Sequence, residues 1–136
     1  MPSIETYSKQ MSGGNYRKWI KDIHDNADIK WYIEIGCRRG LTFANAKCNT
    51  IAVDPLFKLE GDVLNEKKVL HIFQETSDDF FSRPFLKDCN ISIDLAFIDG
   101  MHLFEFLLRD FINTEKSCHK KSVIMLHDCF PTEERM

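Results

Sequence analysis

Hydrophobic and polar positions along the chain alternate between two periods. Tyr16, Trp19/Ile20 and Ile23 recur at three-to-four spacing, which predicts an amphipathic helix over about residues 14–27, opening after Ser12-Gly13-Gly14. Residues 30–36 (KWYIEIG) form a β-branched and aromatic run that ends at glycine, and this reads as a buried strand. Residues 41–46 suggest a small helix, and residues 50–54 (TIAVD) a second strand stopped by Pro55. The charged stretch 56–68 predicts a short helix with loop, and residues 69–73 (VLHIF) a third strand. Ser77-Asp78-Asp79 ahead of two phenylalanines carries the capping signal of another short helix. Residues 91–99 predict a fourth strand, after which Leu103, Phe106/Leu107 and Phe111 mark one face of a helix, and residues 122–128 a fifth strand.

Strands that are nearly continuous apolar runs, separated by helices, predict an α/β fold with a doubly wound, mainly parallel sheet of about five strands covered on both faces. A chain of 136 residues suits a single domain, and 43% hydrophobic with 12% aromatic residues suits a packed core. The balance of 18 Lys+Arg against 21 Asp+Glu leaves no basic footprint for nucleic acid. No apolar run reaches the ~18 residues of a membrane helix, and the N-terminal MPSIETYSKQ lacks a signal-peptide core; a soluble, cytoplasmic protein is expected. Five cysteines without a C-x-x-C pair are expected to be reduced thiols, and the adjacent Cys118 and His119 are poorly disposed to share one ion.

Polar residues gather where the predicted strands end, at Glu34/Gly36, Asp54, Asp99 and His127/Asp128. Ligands of open α/β sheets bind outside these carboxyl ends. The first turn, Glu34-Ile35-Gly36-Cys37-Arg38-Arg39-Gly40, has glycines that permit close backbone approach, but Arg38 replaces the second glycine of a dinucleotide fingerprint and disfavours NAD. Asp54, eighteen residues after Gly36, is placed to accept both hydroxyls of a ribose. If the fourth and fifth strands are adjacent, Asp99, His127 and Asp128 converge as two carboxylates and an imidazole suited to a divalent cation. His102, three residues past Asp99, would then stand beside it as a general base.

Five segments in order, EIGCRRGLT, IAVDP, TSDDFF, DLAFIDGMH and VIMLHDC, resemble the class I S-adenosylmethionine-dependent methyltransferases, and within them the small-molecule O-methyltransferase-like branch. The likeness covers about residues 30–130 and implies a Rossmann-like core. It implies that Glu34, Gly36 and Gly40 wrap the methionine and ribose of S-adenosylmethionine, that Asp54 holds the ribose, and that Ser77 or Asp78 meets the adenine. Asp99 then belongs both to the cofactor site and, with His127 and Asp128, to a magnesium site, and His102 takes the proton of a small-molecule hydroxyl acceptor.

The family's sheet usually continues into an antiparallel hairpin after strand five, whereas this sequence ends at Met136. A C-terminally shortened core is therefore expected, with strand five an apolar edge that a second copy would cover in a homo-oligomer. Two other readings stay open: a non-catalytic cofactor-binding or oligomerising remnant, and a metal-dependent enzyme that does not use S-adenosylmethionine. A receiver domain would want an acidic cluster where this chain has Gly36-Cys37-Arg38-Arg39.

Overall fold

The computed structural model describes residues 15–100 and 103–127. Helix α1 (Tyr16–Asn26) begins at Asn15, whose side chain accepts a hydrogen bond from the Arg17 amide. Then follow β1 (Trp31–Ile35), a 3-10 turn (Phe43–Asn45), β2 (Asn49–Val53), β3 (Leu70–Phe73), α2 (Ser77–Ser82) and α3 (Phe85–Asp88). Strand β4 (Ile93–Ile98), helix α4 (Phe104–Glu115) and strand β5 (Cys118–Leu126) complete the described chain.

The five strands order as β3-β2-β1-β4-β5, and every neighbouring pair is parallel. The chain starts at the centre, steps outward to β3, and then returns to the other side of β1. That reversal puts a topological switch point between β1 and β4, as expected of the doubly wound, Rossmann-like fold.

Alternation along the central strands divides the core in two. Ile33, Ile35, Ile51, Val53, Ala96 and Ile98 pack with Phe80, Leu86 and Leu107 from α2, α3 and α4. Tyr32, Ala52, Leu95 and Phe97 pack on the opposite face with Ile20 of α1 and Phe43 of the 3-10 turn. Because both faces are covered, these strands read as unbroken apolar runs. Each fully buried Ile, Leu or Phe contributes ~1.5–3 kcal/mol through removal from water.

The structure departs from the sequence-based expectation in three places. Residues 56–68 hold no helix. Gly61 and Asn65 adopt left-handed backbone (φ 74° and 48°), the Asp62 carboxylate accepts the Asn65 amide, and Asn65 Nδ2 donates to Ala44 O. Local side-chain bonds of this kind compete with helix formation. The four-residue α3, entered through Pro84, is too short to show a helical period. Strand β5 begins at Cys118, four residues before the predicted start, through an irregular register opposite Ile93 and Leu95.

That early start is held by a side-chain staple. Asp94 Oδ2 accepts the amides of Lys30 and Trp31, both at 2.9 Å, while Oδ1 lies 2.7 Å from His119 Nε2. One carboxylate thus ties together the amino ends of β1, β4 and β5, and His119 is engaged with it. Cys37, Cys48, Cys89 and Cys118 are free thiols. No described helix is long and apolar enough to cross a membrane.

Among the described strands β3 and β5 form the sheet edges, and Ile72, Val123 and Leu126 are exposed there. Centre and edge therefore differ in energetic weight. Ile33→Ala, in the centre of the sheet, is expected to lower unfolding free energy by ~2–5 kcal/mol. Ile72→Ala, at a position 42% exposed on β3, should cost under ~1 kcal/mol in the same urea titrations.

Candidate active site

Beyond the last residue of β1 the chain must turn while β1 and β4 remain in contact. The Gly36 amide donates to Val53 O at 2.9 Å and the Asp99 amide to Ile35 O at 2.8 Å, so the pairing continues past the strand ends. Gly36 has φ +85°, and a Cβ there would stand 1.9 Å from the carbonyl oxygen of Asp99. No other residue can occupy this position without parting the two strands.

The turn is then closed by Asp54. Its Oδ2 accepts the Arg38 amide at 2.8 Å and its Oδ1 accepts the Leu56 amide at 2.7 Å. The carboxylate is thus both the staple between the β1 and β2 loops and a cleft-lining group only 8% exposed. An ionised carboxylate offers about four acceptor positions, so two remain for a ligand's hydroxyls.

Above these loops lies a cleft of about 420 Å³. Ile35, Val53, Pro55 and Phe106 supply apolar walls, and Asp54, Ser77, Asp78, Asp99 and Asp110 supply polar edges. A pocket of this size, mostly apolar with a few placed polar groups, suits a small organic ligand. Thr76 caps α2 by accepting the Asp79 amide on its hydroxyl, which sets Ser77 and Asp78 at the cleft wall. Asp78 also pairs with Arg109 at 3.4 Å, with both side chains about half exposed.

Of the predicted site residues, Gly36, Asp54, Ser77, Asp78 and Asp99 line this one cleft. Glu34 and Gly40 are not among its lining residues. Glu34 precedes Ile35 on β1, so alternation turns its side chain to the α1 face, where the Tyr32 hydroxyl donates to Oε1 at 2.7 Å. Gly40, at φ +76°, is packed beneath the following segment; a Cβ there would meet Val63, Leu59 and Phe43 at 3.0–3.1 Å.

Strands β4 and β5 are adjacent, and they bring Asp99 and His127 together: Nδ1 lies 3.0 Å from Oδ1, with the Tyr16 ring centred 4.4 Å from the imidazole. The other two residues of the predicted metal and base constellation, Asp128 and His102, lie outside the described residues. Among the described residues no group of three or more His, Cys, Asp or Glu side chains gathers around one point. Asp99 and His127 are the two members of that constellation that the described residues include.

Two buried acids are perturbed. Burial pushes the Glu34 carboxyl up to about 8, against the opposing pull of its hydrogen bond from Tyr32. Burial also raises Asp110, while the Ser77 side chain beside it works in the opposite direction. Sequence reasoning passes over Asp110. Its only signal is an acid three residues after Leu107 and four before Thr114, on a helical stripe the structure buries.

Comparison with known families gives one clear match to this fold and cleft. The family model described as "Methyltransferase domain" matches residues 33–129, from the first buried strand to just beyond the last. The chain belongs to that methyltransferase-domain family, and S-adenosylmethionine is the methyl donor this implies. No curated protein matches the sequence.

The residues present suit that donor. Asp54 retains acceptor positions for a ribose diol, the apolar walls suit a flat base, and the carboxylates complement a positively charged sulfur. Asp54→Ala is expected to weaken S-adenosylhomocysteine binding at least about tenfold in isothermal titration, with circular dichroism confirming a folded variant. A second prediction concerns Glu34. Because its folded carboxyl is raised from 4.5 to about 8, the native state holds a proton the unfolded chain releases, and stability falls as pH rises through that interval. Glu34→Gln should remove that slope, which is on the order of 1.4 kcal/mol for each pH unit crossed. Urea titrations at pH 5 and pH 8 check this: the variant is expected to be the more stable protein at pH 8, by a few kcal/mol.

Proposed function

We propose that this methyltransferase acts on a hydroxyl group of a small molecule. The observation that carries the reading is the Asp99–His127 contact at 3.0 Å, with Asp99 itself on the wall of the cleft. A carboxylate hydrogen-bonded to an imidazole fixes the ring's orientation, and such a pair at the cleft edge can hold an acceptor hydroxyl through hydrogen bonds.

Bound in the cleft, S-adenosylmethionine supplies an electrophilic methyl carbon on a positively charged sulfur. The protein's own contribution is positional. Asp54 holds one end of the donor, the glycine turn lets the backbone come close, and the apolar walls exclude water from the reacting end. His102, three residues past Asp99 in the chain, is the proposed base that takes the acceptor's proton. No step is assigned to a metal; magnesium enters as a variable of the test.

Transfer of labelled methyl from S-adenosylmethionine to a panel of phenols, catechols and sugars, with and without magnesium, examines the reading. Methylated hydroxyl products are expected, falling about 100-fold or more in His102→Ala with cofactor binding intact. Cofactor binding without transfer to any hydroxyl under either condition would overturn it in favour of a binding module. Activity abolished by chelation and restored by magnesium would add the cation, with Asp128 as the candidate third ligand.

A further inference from the structure

The cleft lies beyond the carboxyl ends of the strands; at their amino ends lies a second cavity, of about 470 Å³. Ile91 and Ser92, which lead into β4, and Cys118, the first residue of β5, form one wall. The α2–α3 corner and the carboxyl end of α4 form the others, through Phe80, Leu86 and Asn113. The two cavities both draw on α2 and α4 yet share no lining residue.

Their charges are opposite. Four aspartates and Arg38 line the cleft, whereas Arg83, Lys87 and Lys116 line the second cavity, with no acid among its described lining residues. Asp88 and Glu115, next in the chain to the two lysines, do not line it. Arg83 is engaged with Glu75, which compensates its charge. Lys116 Nζ instead donates to the neutral Asn113 Oδ1 at 3.3 Å, and Lys87 takes part in no ion pair among the described residues. The carboxyl end of α4 brings about half a negative charge nearby, less than two ammonium groups supply. Beneath this rim the floor is apolar: Phe80, Leu86 and Ile91 are 1%, 6% and 8% exposed. A cationic rim over an apolar floor complements a molecule with a hydrophobic body and an acidic group at its edge.

We propose that this cavity is a second binding site, separate from the donor cleft, for a small organic anion. Lys87 and Lys116 hold its acidic group, Asn90 offers an amide donor beside them, and the apolar body lies on Phe80, Leu86 and Ile91. The site does not depend on which methyl donor occupies the cleft.

The probe is anilinonaphthalene sulfonate, an aromatic body with one anionic group, compared with its uncharged relative N-phenylnaphthylamine. Fluorescence titrations use the full chain with and without S-adenosylhomocysteine. Saturable binding is expected that S-adenosylhomocysteine does not displace, about tenfold or more tighter for the sulfonate. Lys87→Glu combined with Lys116→Glu should abolish that preference while leaving the uncharged relative within about twofold, which loss of the cavity itself would not do. Both lysines are exposed, so the double variant is expected to keep the wild-type circular dichroism and S-adenosylhomocysteine affinity. Should it fail to fold, Lys87→Gln and Lys116→Gln separately, each expected to reduce the preference, decide the question. No saturable binding, equal affinity for the two probes, displacement of the sulfonate by S-adenosylhomocysteine, or an unchanged preference in folded variants overturns the site. Failure of S-adenosylhomocysteine to bind overturns the donor reading and leaves this one standing.

Discussion

The approach of β1 to β4 at Gly36 and Asp99 is the constraint from which the site follows. A Cβ on Gly36 would sit 1.9 Å from the Asp99 carbonyl oxygen, so the two strands can stay paired past their ends only because that atom is missing. The pairing holds Asp99 at the rim of the cleft, and through the β4–β5 ladder it sets His127 3.0 Å from the Asp99 carboxylate. It also starts the turn that brings the Arg38 amide onto Asp54. One absent methyl group thereby positions groups from β1, β2, β4 and β5. Neither a helix propensity nor a burial energy of a few kcal/mol would set those positions so narrowly.

Acidic residues inside an otherwise apolar fold are the second organising feature. Asp54, Glu34 and Asp110 are each nearly inaccessible, yet their surroundings treat them differently. Asp54 receives two backbone amides, which fix its carboxylate between the two loops. Glu34 is desolvated more than the Tyr32 hydroxyl, the Cys37 thiol and the charge of Arg17 offset, and its carboxyl is pushed up to about 8. Asp110 is raised by burial, with Ser77 acting in the opposite direction, and it lines the cleft. A staple, a neutral core acid and a ligand-facing acid differ here by what hydrogen-bonds to them rather than by residue type.

Legibility varies with the range of the interaction responsible. The alternation of helix, strand and turn is readable because a sheet buried on both faces demands unbroken apolar runs. The strand-end positions of Gly36, Asp54 and Asp99 follow from the same pattern. Residues 56–68 mislead because their charges suggest a helix surface, while Asp62, Gly61 and Asn65 build turns instead. Glu34 points to the cofactor by likeness of motif, yet strand alternation turns it to the opposite face from Ile35. Asp110 is hidden inside a helical stripe whose phase fits the core, so only packing reveals that the stripe also borders the cleft.

The sequence by itself determined the class of fold, the order of its elements and the polar strand ends, since these depend on local periodicity and on residues a few positions apart. It also carried, in its ordered motifs, the likeness to a methyltransferase that the family match confirms. Only the tertiary structure decided which of those polar residues share a cleft, because membership depends on strand order, register and face. Register placed His127 beside Asp99, alternation turned the Glu34 side chain to the α1 face, and the docking of α4 brought Asp110 to the cleft wall with Phe106. A one-residue change of phase on any of these elements would have left the composition and motifs intact and dismantled the site.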